Sequence, residues 1–65
     1  MTAKFKSAMS LIKKGDFKGA LPILRGLSEQ NPSDADLLYN LGMCYSELKD
    51  YENAIACLEK CIKLK

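Results

Sequence analysis

Three cysteines, Cys44, Cys57 and Cys61, are the residues in this chain best suited to chemistry. Cys57 and Cys61 stand four positions apart, one turn along a helix, with Cys44 on the segment that precedes them. Three thiolates on neighbouring helices could in principle hold zinc, but a closed structural site takes four ligands and no fourth is evident. An odd number of cysteines without a paired framework points to a reducing compartment. Free cysteine then serves as a small core residue. Cys61 falls in an apolar stripe, and Cys44, beside Tyr45, is expected to be half-buried. No metal and no cofactor is expected. The chain has no histidine, so neither a Ser-His nor a Cys-His nucleophile can be assembled. Glu47 and Asp50 lie at the end of a helical pattern, where capping accounts for them. No glycine-rich phosphate loop follows a strand pattern, and no strand pattern occurs. The chain is not expected to be an enzyme.

The elements that carry these residues are helical. Leu38, Leu41, Gly42, Tyr45 and Leu48 recur at steps of three and four, as one helix face does; Tyr51, Ala54, Ile55, Leu58, Cys61 and Ile62 repeat the pattern. Asp50 stands between the two, where its carboxylate can accept from the free N–H groups opening the second helix. So short a connection folds the helices back as an antiparallel hairpin. The first half is a fainter copy. Phe5, Ala8, Leu11 and Ile12 form one stripe; Phe17, Ala20, Leu21, Leu24 and Leu27 form another. Gly15 suits the left-handed residue that closes a helix, and Asp16 can cap the next one. Pro32 stops the second stripe, and Ser33 with Asp36 three residues on is the expected cap of the third helix. Within the helix expected over 17–30, Gly19 and Gly26 each cost about 1 kcal/mol. Pro22 there removes the bond to the Lys18 carbonyl, which predicts a bend rather than a break.

Shifted by 34 residues, the chain matches itself. Met9 falls on Met43, Asp16 on Asp50, Ala20 on Ala54 and Leu24 on Leu58; Phe5 meets Tyr39, Phe17 meets Tyr51, and Ala8 meets Gly42. Small residues at Ala8, Gly42, Ala20 and Ala54 suit the places where paired helices cross. On this period, and on Leu41-Gly42, Tyr45, Asp50-Tyr51, Ala54, Leu58 and their first-half counterparts, the chain resembles the tetratricopeptide repeat family. It departs from the family at Lys4 and Ser7, where large apolar residues are usual. The expected fold is all-α: one domain over residues 1–65 made of two stacked antiparallel hairpins, repeat 1 over 1–34 and repeat 2 over 35–65.

Charge and hydropathy narrow the partners. The net charge of +2 is mildly concentrated before Asp34, as solvated helix faces produce, and no basic recognition helix stands out. No nucleic acid is expected. No apolar run approaches the roughly 20 residues that span a bilayer, so no membrane is expected either. The segment over 1–8 lacks the apolar core of a signal peptide, which makes the cytoplasm the expected location.

The resemblance implies a protein or peptide partner. In the family, the first helix of each hairpin lines a concave groove. Matched residue by residue, the groove here comprises Thr2, Phe5, Lys6, Met9, Ile12 and Lys13, continued by Asp36, Tyr39, Asn40, Met43, Ser46 and Glu47. Phe5 and Tyr39 make an aromatic row beside a methionine row of Met9 and Met43, without an evident role in closing either hairpin. Such groups favour adaptable apolar contact, and the implied function is capture of an apolar or amphipathic peptide. Family members that grip a chaperone's C-terminal carboxylate use Lys and Asn there; only Asn40 matches, so that activity is not implied. A rival expectation is a self-assembling unit. Two repeats are fewer than the three or so that bury a continuous core, and a chain of this size buries only about 60% of its unfolded surface. Ile62 and Leu64 are left uncovered, which predicts a homo-oligomer with copies stacked on one another, including exchange of a hairpin between chains.

Overall fold

A computed structural model describes residues 3–64. It holds four helices: α1 (Ala3–Lys13), α2 (Phe17–Gln30), α3 (Ala35–Glu47) and α4 (Tyr51–Leu64). No strand occurs among the described residues. Helix α1 packs on α2, α2 on α3, and α3 on α4, giving two hairpins stacked in chain order.

The same hydrogen-bonded turn closes both hairpins. After α1, the Asp16 N–H donates to the Leu11 carbonyl at 2.8 Å and the Gly15 N–H to that of Ile12 at 2.9 Å. After α3, Asp50 donates to Tyr45 at 2.8 Å and Lys49 to Ser46 at 3.0 Å. This pairing satisfies helix-end carbonyls through one left-handed residue. Gly15 fills that place at φ 81°, and Lys49 fills it at φ 66°. Each turn then supplies the next cap. The Asp16 carboxylate accepts from the Gly19 N–H at 2.9 Å, and that of Asp50 accepts from the Asn53 backbone N–H at 3.5 Å and from its side-chain amide at 2.8 Å. Between the hairpins, the cap of α3 is Asp34, not Ser33. Its carboxylate accepts from the N–H groups of Asp36 and Leu37 at 3.0 and 3.2 Å. Two oxygen-bearing residues stand side by side there, and only the second reaches the exposed donors.

Helix α2 runs through Pro22 without a break. Lys18 and Pro22 are both exposed, so the carbonyl that the proline leaves unpaired lies on the water side of the helix.

The core gathers Ala8, Ala20, Leu24, Leu27, Leu37, Leu41, Cys44 and Cys57. Small residues do sit at the crossings: Ala8 and Ala20 are completely buried, and a Cβ on Gly42 would stand 3.1 Å from Leu58 and 3.4 Å from the Ala54 carbonyl. Cys44 is completely buried rather than half-buried. The Cys61 thiol donates to the Ala35 carbonyl at 3.4 Å, fastening the end of α4 to the start of α3. One expected stripe is corrected. Tyr51, Ile55 and Ile62 do not close the second hairpin; they are 57, 57 and 74% exposed, while Ala54 and Cys61 of the same stripe are buried, joined by Cys57. Helix α4 has two adjacent apolar faces, and α3 covers only one.

Candidate peptide-binding groove

Helix α1 turns Phe5, Lys6, Met9, Ser10 and Lys13 toward a cavity of about 420 Å³. Residues at i, i+4 and i+3 share a helix face, so these five form one continuous strip. Four of them are the expected groove residues of α1. Ser10 is an addition, and its position one turn beyond Lys6 is the signal that would have included it. Ile12 is absent from that lining; it packs, half-buried, against the core. Thr2 lies outside the described residues.

Phe5 and Met9 correct one expectation. Both are half-buried against the core that the four helices share, as well as lining the cavity. Their counterparts on α3 are more open: Tyr39 is 51% and Met43 39% exposed. The rows are therefore uneven, anchored on α1 and free on α3. Lys6 and Lys13 are exposed beside the α1 cavity, whereas α3 carries the exposed carboxylates Asp36 and Glu47. Asn40 and Ser46 are half-buried. The Asn40 amide donates to the Asp36 carbonyl at 2.9 Å, which commits one of its donors to α3 itself.

The thiols are placed for packing. Cys44, Cys57 and Cys61 are free and buried. Burial, reinforced by the Glu47 carboxylate, pushes the Cys44 thiol above its ordinary 9.0. Burial also raises Cys57, with Lys60 acting weakly in the opposite sense. Raised thiols are poor nucleophiles near neutral pH. Among the described residues, no group of three or more His, Cys, Asp or Glu side chains is arranged to hold a metal ion. No helix among them is long and apolar enough to cross a membrane.

Stacked hairpins closed by the same hydrogen-bonded turn 34 residues apart define a helical-repeat protein. Two family models, both described as tetratricopeptide repeat, match residues 2–34 and 35–65. The chain belongs to the tetratricopeptide repeat family. Repeats of this family are in general non-catalytic modules of protein–protein interaction.

Proposed function

We propose that the two repeats, 1–34 and 35–65, form a single domain that captures an apolar or amphipathic peptide segment along α1 and α3. The observation that carries this reading is the cavity over Phe5 and Met9, about 420 Å³ and edged by Lys6 and Lys13. An apolar side chain of the ligand fits the half-buried floor, and an acidic residue one turn away meets a lysine at the rim. Met43 and Tyr39 extend the apolar track on α3, where methionine's flexible thioether adapts to ligands of different shape. Three free cysteines support a cytoplasmic location.

The test is to select peptides from a random library on the immobilised protein and to measure their affinity for variants. Met43→Lys, at a partly exposed position, is expected to weaken binding about tenfold, or 1.4 kcal/mol. Met9→Lys combined with Met43→Lys is expected to abolish it while circular dichroism remains helical. Selected peptides whose affinity is indifferent to both changes would overturn the groove.

Association between copies is a second reading, favoured by Ile62 at 74% and Leu64 at 44% exposure. Hairpin exchange belongs to it, with the segment 31–34 as the hinge between α2 and α3.

A further inference from the structure

We infer that Met43 is a modification site: a peroxide converts its thioether to the sulfoxide and so weakens peptide capture on α3. The inference rests on the groove reading and adds its regulation. Met43 is 39% exposed on α3. Its counterpart 34 positions earlier, Met9, is half-buried and packs against the core. The exposed thioether therefore belongs to the groove, and the sheltered one also to the fold. Tyr39 lies four residues before Met43, so the two share a helix face and the modification falls within the apolar track.

The competing thiols are shielded. Cys44, Cys57 and Cys61 are free and buried. A thiol reacts with peroxide as its thiolate, and burial pushes Cys44 and Cys57 above the ordinary 9.0, so little thiolate exists near neutral pH. The Cys61 thiol donates to the Ala35 carbonyl in a part-buried hydrogen bond. A thioether needs no deprotonation, because its sulfur lone pair is available at any pH. Access from the surface then selects the site, which favours Met43.

In the step itself the Met43 sulfur attacks one oxygen of hydrogen peroxide. The O–O bond breaks as the S–O bond forms, the departing hydroxide takes the proton of the transferred hydroxyl, and water leaves. Sulfur gives up an electron pair, and the peroxide is reduced by it. The product replaces a flexible apolar thioether with a polar, chiral group. An apolar ligand side chain docked there buries the new oxygen without a donor, which costs binding. Met43 lies outside the core, so the helices stay folded.

The test treats the whole chain with hydrogen peroxide at neutral pH, removes the oxidant, and locates added oxygen by mass spectrometry of proteolytic fragments. Affinity is then measured for library-selected peptides that contain no sulfur. Met43 is expected to gain oxygen before Met9, and affinity to fall about fivefold in step with it while circular dichroism stays helical. Peroxide should leave the affinity of Met43→Leu where it started, whatever that value is, and should still lower that of Met9→Leu about fivefold. Peptides indifferent to Met43→Lys overturn the groove, and this inference with it. Peptides that respond to Met43→Lys, yet keep their affinity once Met43 carries the oxygen, overturn this inference alone. So does oxygen on Met9 ahead of Met43, or a loss of affinity that persists in Met43→Leu or accompanies unfolding, because the damage then lies elsewhere in the chain.

Discussion

Gly42 is where the second hairpin is tightest, and replacing it tests whether close helix approach sets the position of α3. A Cβ there would lie 3.1 Å from both Cγ and Cδ2 of Leu58 and 3.4 Å from the Ala54 carbonyl oxygen. Cγ is near the root of the leucine side chain, so it cannot retreat without turning the whole side chain or moving α4. Gly26 is the matched control: it also lies inside a helix, and a Cβ on it would meet nothing within 4 Å. Alanine raises intrinsic helix preference by about 1 kcal/mol at either site. At Gly42, overpacking opposes that gain by about 1–3 kcal/mol. Gly26→Ala should therefore stabilise by up to about 1 kcal/mol, and Gly42→Ala should be neutral or destabilising by up to about 2 kcal/mol. In a domain this small each kcal/mol moves Tm by about 4–8 °C. Thermal unfolding followed by circular dichroism resolves the two. In a double-mutant cycle Gly42→Ala should cost less in the Leu58→Ala background than in the unaltered protein, because the two side chains compete for one space. If Gly42→Ala were as stabilising as Gly26→Ala, the helices would not be in the close contact on which the placement of Tyr39 and Met43 depends.

Removing the α3 cap by Asp34→Ala should cost about 0.5–2 kcal/mol, whereas Ser33→Ala should leave the urea midpoint within error, which separates the two adjacent residues. The raised Cys44 and Cys57 thiols make stability depend on alkaline pH. Folding favours the neutral thiols, so their contribution is fully present below the ordinary 9.0 and is lost as pH rises through the higher folded values. Urea midpoints from pH 7 to 10 should fall, and the fall should be shallower in Cys44→Ala, measured against its own value at neutral pH.

Local rules carried most of the fold. The caps Asp16 and Asp50 and the turn at Gly15 depend on residues a few positions away, and each was legible from residue type alone. Lys49 was not, because lysine has no preference for positive φ; only its alignment with Gly15 could have marked it. Asp34 was missed for a related reason, since Ser33 offers a cap of equal preference one position earlier. The face of α4 misled more seriously. Periodicity finds an apolar side of a helix but not what covers it, and Ile55 and Ile62 outweigh Cys57 and Cys61 in hydropathy while the cysteines take the buried side. That Phe5, Lys6, Met9 and Lys13 share one strip of α1 was legible from the period and the resemblance. What stayed hidden was that Phe5 and Met9 also support the core, a matter of packing depth that spacing along one helix does not encode.

The two surfaces are separable, and that bears on how the module would work. None of the groove residues lies on α4: the cavity belongs to α1, and the exposed Tyr39 and Met43 belong to α3. Copies that associate through the exposed Ile62 therefore keep both grooves open. Two weak peptide contacts to a ligand carrying two such segments then act together, and avidity can exceed either single affinity by a factor of about 10²–10⁴ if the geometry allows both to engage. A small cavity with little enclosed area fits such weak single contacts, because shallow sites leave only a small surplus over the cost of association. Ile62→Lys separates the effects. It should leave the affinity for a single peptide unchanged and remove the excess for a tandem one, measured by surface plasmon resonance with the peptide in solution and the protein captured at low density. Equal loss for single and tandem peptides would mean that α4 supports the groove directly, and that the two surfaces are one.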